Sequence, residues 1–171
     1  MTKVAGGIRN KGDHYMCCFY ALCDLISSSA VLHGQLETYK PLSQIFIFRY
    51  ADPADFAIRK KGHYCYECDF YTALKFAKES TSGIPLAYKY EMAGKFKCAI
   101  KWKIKSGELT FQIKEVYKYE TLEQALERLK THTVAASLLC YEGWDDEGLY
   151  SGLTEKACLE GIHEVIMLAC V

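Results

Sequence analysis

A cysteine placed where a polar loop enters a helix can serve as a nucleophile at neutral pH. The stretch Asn10-Lys11-Gly12-Asp13-His14-Tyr15-Met16-Cys17-Cys18-Phe19-Tyr20-Ala21-Leu22 sets one at such a junction. From Cys18 onward apolar residues recur at Phe19, Leu22/Cys23, Ile26, Ala30 and Val31, the rhythm of a helix with one buried face. Gly34, able to take a left-handed backbone, supplies the stop. Cys17 then lies in the first turn. Unpaired backbone N–H groups and the positive end of the helix dipole gather there, and they favour a thiolate over a thiol. The competing reading makes Cys17 and Cys18 two small buried hydrophobes at the end of a core helix.

The order of residues along the chain weighs on that choice. Asn10-Lys11-Gly12, four residues, then Cys17-x-x-Tyr20-Ala21-Leu22 resembles the papain-family segment in which the nucleophilic cysteine opens the long central helix. Cys17 stands at the nucleophile, Lys11 at the oxyanion-hole Gln, His14 at a disulfide cysteine and Cys18 at a Trp. Leu42-Ser43 matches the Leu-Ser that opens the family's next helix, and Cys65-Tyr66-Glu67-Cys68 falls where the family has Cys-x-Gly-Gly before a helix. Gly148-Leu149-Tyr150-Ser151-Gly152 and Gly161-Ile162-His163-Glu164-Val165-Ile166 are similar to the family's closing Gly-Ile-Tyr…Asp-His-Ala-Val, with His163 at the catalytic histidine. The Cys17-to-His163 separation falls within the roughly 130–150 residues of a papain-like Cys–His pair. The resemblance covers nearly the whole chain.

It implies an α+β papain-like fold in one domain. A helical lobe over about 1–92 carries Cys17 on a long central helix. A β-barrel-like lobe over about 93–171, antiparallel and incomplete, carries His163. It further implies peptide-bond hydrolysis through a thioester. The imidazolium of His163 holds the thiolate, the thiolate attacks a peptide carbonyl, the histidine protonates the leaving amine and water releases the acyl group. Cys17, His163 and Lys11 are the catalytic candidates, with no cofactor and no metal. Lys11 replaces a donor whose loss costs about 10²–10³ in rate; its ammonium substitutes if it reaches the cleft, and pairs with Asp13 if it points away. Asn10, the single asparagine, belongs to the loop, so no orienting Asn follows His163 in the sequence given. Three functions compete on these residues: a weak or degenerate thiol peptidase, a pseudo-peptidase that binds a peptide or partner protein without cleaving it, and a non-enzymatic protein whose thiols only pack. The family's missing last strands would leave an open β edge and an opportunity for self-association.

Composition sets outer bounds. The chain has 171 residues, 50% hydrophobic and 25% charged, an ordinary globular balance. Lys+Arg and Asp+Glu are equal at 21, so neither nucleic acid nor a charged membrane surface is indicated as a partner. No apolar run approaches the about 20 residues of a membrane span, and residues 1–16 lack the apolar core of a signal peptide. Nine cysteines, an odd number, favour thiols in a reducing compartment. The resemblance agrees: Cys65 and Cys98 match family cysteines whose partners fall near His14 and Tyr50, so both family disulfides are absent. An intracellular, cytoplasmic protein is expected, beginning close to its site and without a propeptide. His63-x-Cys65-x-x-Cys68 with Cys98 has zinc-ligand spacing and is the alternative use of those thiols.

The elements that must position these residues read as follows. Pro41 and Leu42-Ser43 mark a helix start, while Ile45-Phe46-Ile47-Phe48 is a buried run that periodicity cannot assign. Residues 51–62 form a polar connection. Asp69 caps a helix to about Glu79 with Phe70, Ala73, Leu74 and Ala77 on one face, closed by Gly83 and Pro85. Phe96 to Ile104 alternates with lysines as a half-buried strand, turns at Ser106-Gly107 and returns through Leu109, Phe111 and Ile113 as a hairpin. Thr121-Leu122-Glu123-Gln124 is a capping box that opens a helix to about Thr131. Thr133–Cys140 and His163–Cys170 read as buried strands. Helices first and strands second is the α+β pattern.

Overall fold

A computed structural model describes residues 3–7, 9, 16–50, 68–80, 82–87, 107–141 and 158–167. Among them the chain is mixed α+β: α1 (Cys17–Leu32), α2 (Gln44–Tyr50), α3 (Phe70–Glu79), β1 (Ile84–Pro85), β2 (Thr110–Phe111), α4 (Leu122–Leu129), β3 (Val134–Tyr141) and β4 (Leu159–Met167). The strands make two antiparallel two-stranded sheets, β1 with β2 and β3 with β4, and no closed barrel is present among the described residues. The strand expected over Phe96–Ile104 lies outside the described residues. Its expected partner contributes β2, which pairs with β1 through Ile84↔Phe111 and Pro85↔Thr110. Pro85 thus belongs to a strand rather than to the end of α3.

The long helix is more deeply embedded than its periodicity implies. The expected face of Phe19, Leu22, Cys23, Ile26 and Ala30 is buried, but so are Cys18, Ala21, Ser27 and Ser28. Helices α2 and α3 and both strands of the β3–β4 ribbon pack around α1. Its two buried hydroxyls are satisfied, Ser27 Oγ donating to Lys40 O at 2.6 Å and Ser28 Oγ to Val4 O at 2.9 Å. Gly34 does end the helix, at φ +70, as a left-handed terminator.

Around this axis the core gathers Leu42, Phe46, Ile47 and Phe48 from α2 and its approach, Ala73 and Ala77 from α3, and Ile84, Leu86 and Phe111 from the small sheet. Phe19 meets Phe48 edge-to-face with centroids 5.8 Å apart. The unassigned run Ile45–Phe48 is helical, since the Ser43 hydroxyl accepts from the Phe46 N–H at 3.2 Å and starts α2. Asp69 starts α3 as expected, its carboxylate accepting from Thr72 N–H at 2.9 Å. Gly83, at φ +67, lies so close to Thr110 that a Cβ would meet the threonine side chain at 2.9 Å. The residue that admits the positive φ is also the one that lets β1 and β2 approach. At α4, Thr121 Oγ1 accepts from Gln124 N–H at 3.3 Å, while the Gln124 side chain reaches back to Glu120 N–H at 3.1 Å.

The β3–β4 ribbon corrects one expectation. It was to consist of buried strands, but Leu138, Leu139, Leu159 and Ile162 are exposed, and β4 begins at Leu159, ahead of His163. A two-stranded ribbon lying against one helix covers only part of its surface, so apolar composition did not translate into burial.

At the other end of α1, His33 faces His132, which precedes β3, with ring centroids 5.6 Å apart. Arg128 Nη2 lies 3.1 Å from His132 Nε2. A guanidinium only donates, so Nε2 accepts and His132 is neutral, its proton on Nδ1 pointing to Thr131 Oγ1 at 2.8 Å. Burial, then Arg128 and His33, hold its pKa below the ordinary histidine value. The unfolded chain therefore takes up this proton first as pH falls. The contribution is whole above about pH 6.5 and is lost as pH drops through that unfolded value. Urea unfolding at pH 7.5 and pH 5.5 should show wild type losing more stability than His132→Gln over that interval; equal losses would remove His132 as the titrating group.

Candidate active site

Cys17 is the first residue of α1 and is half-buried. Met16 occupies the cap position and supplies no side-chain hydrogen bond, and the first turn holds no acid. The cap residue thus supplies no capping oxygen, and the thiol lies at the positive end of the helix dipole. Arg9 anchors the chain ahead of it. Its guanidinium pairs with Asp24, stacks 4.7 Å from the Tyr20 ring centroid and reaches Gln44 Oε1 at 3.4 Å. Tyr39 OH also donates to Asp24, and burial and this contact push the phenol up.

Cys18, the neighbour with which Cys17 competes as nucleophile, is 1% exposed. A hydrogen bond with Cys68, followed by burial, pushes its thiol far up. The two adjacent cysteines therefore divide, one sealed in the core and one half-buried at the helix end. Cys17, Cys18, Cys23, Cys68, Cys140 and Cys158 all carry thiols.

His163 lies on β4, opposite Leu138 of β3, and β4 packs against α1. One more residue ties the two candidates together. The buried Cys140 thiol is pushed up by desolvation and then by Cys17, while the His163 backbone N–H hydrogen bonds to it. The His163 main chain thus lies beside Cys140, and α1, which Cys17 opens, packs against the same ribbon. Lys11, Asn10 and the loop to Tyr15 lie outside the described residues, as do His63, Cys65 and Cys98 of the zinc alternative. Among the described residues no group of three His, Cys, Asp or Glu side chains is arranged to hold a metal.

A group that the sequence did not single out sits beside the candidate histidine. Glu164 is 9% exposed. Its carboxylate accepts from Ser137 Oγ, 2.8 and 3.0 Å from its two oxygens, and from the Phe70 backbone N–H at the start of α3. Burial raises its pKa, the Ser137 hydrogen bond opposes that rise, and Asp69 adds to it. The available signal was an acid inside an apolar strand pattern, a position that demands partners. The arrangement ties β4 to both β3 and α3.

Neither a protein-family model nor a curated protein matches the chain. No helix among the described residues is long and apolar enough to cross a membrane.

Proposed function

We propose that the chain is a papain-like cysteine peptidase domain in which Cys17 is the nucleophile, His163 its acid–base partner and Lys11 the substitute oxyanion donor. The observation that carries the reading is the placement of Cys17 as the first residue of a central helix, with the His163 strand packed against that helix. A thiolate there attacks a peptide carbonyl, and a histidine on the facing strand protonates the leaving amine. The half-buried position leaves the sulfur reachable, whereas Cys18 is sealed in the core. No cofactor enters this chemistry. The ligand is a peptide or an unfolded protein segment, the setting is cytoplasmic, and turnover is low.

The test is a competition among the nine cysteines. A peptidyl epoxide or iodoacetamide at substoichiometric concentration should label Cys17 ahead of every other cysteine, read by peptide mapping. Labelling together with detectable peptide hydrolysis supports the peptidase. Selective labelling with tight peptide binding but no hydrolysis identifies the pseudo-peptidase, which retains the cleft and not the chemistry. Uniform labelling of all accessible thiols would leave Cys17 a packing residue and end both readings.

A further inference from the structure

Helix α4 carries an apolar stripe that is not turned into the core. Leu122, Ala125, Leu126 and Leu129 recur at the i, i+3, i+4, i+7 spacing that gathers side chains on one side of a helix. Such a stripe ordinarily faces inward, yet none of the eight residues of α4 is buried. The helix packs against β3, and Ala125, Arg128 and Leu129 are half-buried. Leu122 and Leu126, one turn apart, remain 62% and 46% exposed. The charges beside these leucines are ordered. Glu123 stands in the first turn, and Lys130 follows two turns later on the same flank, at the C-cap but still with helical backbone angles. Lys130 pairs with Glu127 of its own helix, but both side chains are exposed, and such a pair is exchanged at little cost. The flank therefore runs from acid to base in the direction of the chain. A second α4 laid antiparallel sets base against acid at both ends, whereas a parallel one sets like charges together. The helix is complementary to itself in the one orientation that a two-fold contact requires.

We propose that α4 is the contact surface of a homodimer, in which two copies pack antiparallel along Leu122 and Leu126, with Glu123 of each copy paired to Lys130 of the other. The two-fold axis passes close to Leu126, so this leucine meets its own counterpart. Ala125, with its small side chain next in the stripe, lets the two helices approach closely. Leu122 then reaches the last turn of the second copy, where Leu129 closes the stripe. A helix of eight residues extends over only about 12 Å. The dimer therefore belongs with small, readily dissociating interfaces. It goes beyond the peptidase reading and is independent of it, since the contact needs neither Cys17 nor His163.

Sedimentation equilibrium of the full chain in reducing buffer, from low to high micromolar concentration, tests the contact. The expected result is a monomer–dimer equilibrium. Leu126→Lys should leave only monomer, with a melting temperature close to that of wild type because the side chain is largely exposed. Glu123→Lys alone and Lys130→Glu alone should each weaken dimerisation at least about tenfold, since each sets like charges face to face at both ends. Mixed in equal amounts, these two variants should recover a dimer, because each supplies the charge that the other lacks. Mixing leaves helix stability untouched, so that recovery reports the contact itself. A chain that stays monomeric throughout, a dimer indifferent to Leu126→Lys, or charge variants that fail to rescue each other would overturn the proposal. A dimer lost in Ile162→Glu but kept in Leu126→Lys would do so as well, moving the contact to the β3–β4 ribbon.

Discussion

Cys17→Ser should reduce peptide hydrolysis to background, a loss of at least about 10³-fold, with the melting temperature unchanged. The size of the effect follows from what is removed. A serine at the same point is isosteric but has no thiolate to offer, and loss of a nucleophile removes nearly all the rate that a Cys–His unit supplies. The unchanged stability follows from position, because the Cys17 side chain is only half-buried at a helix end while the core is formed by its neighbours. His163→Ala should cost about 10²–10⁴, the contribution of a positioned acid–base group. Hydrolysis that persists in Cys17→Ser would place the nucleophile elsewhere.

Phe19→Ala should destabilise the fold by about 3–5 kcal/mol. Phe19 is sealed from solvent, meets Phe48 edge-to-face and sits on the helix against which α2, α3, β3 and β4 pack. Against a total of about 5–15 kcal/mol for a typical domain, this substitution alone approaches the unfolding threshold. Urea titration should show a lower midpoint at an unchanged slope. Leu138→Ala, on the exposed part of the ribbon, provides the contrast and should cost less than about 1 kcal/mol. A small loss at Phe19 would mean that α1 is not the axis of the core.

The two substitutions also mark what the sequence could and could not convey. Helices with chemical punctuation were legible: Asp69 and Thr121 each cap where their spacing required, and Gly34 ends α1. Their signals are local, one side chain to one backbone N–H. The run Ile45–Phe48 resisted assignment because four apolar residues fit a buried strand as well as a buried helix. Only the Ser43 cap and the neighbours of α2 decided it. Burial around nearly the whole of α1 was hidden for a related reason. Ser27 and Ser28 are not part of the apolar rhythm, yet they are buried because their hydroxyls find carbonyls at Lys40 and Val4, distant in sequence. At the candidate site, the places of Cys17 at the start of a helix and of His163 on a strand were legible. The Glu164–Ser137–Phe70 contacts were not, because they join segments that only tertiary packing brings together.

The β3–β4 ribbon has a dynamic consequence. Two strands alone are marginal in water, so this ribbon draws its persistence from contact with α1 and from the Glu164 link to α3. The strand that holds His163 is then among the elements that detach first, while α1 stays formed until the whole domain opens. Native-state hydrogen exchange should therefore register two tiers of protection, with the β4 amides exchanging through a partial opening and those near Phe19 through global unfolding. Any reaction that depends on Cys17 and His163 together would be timed by how long the ribbon stays closed against the helix.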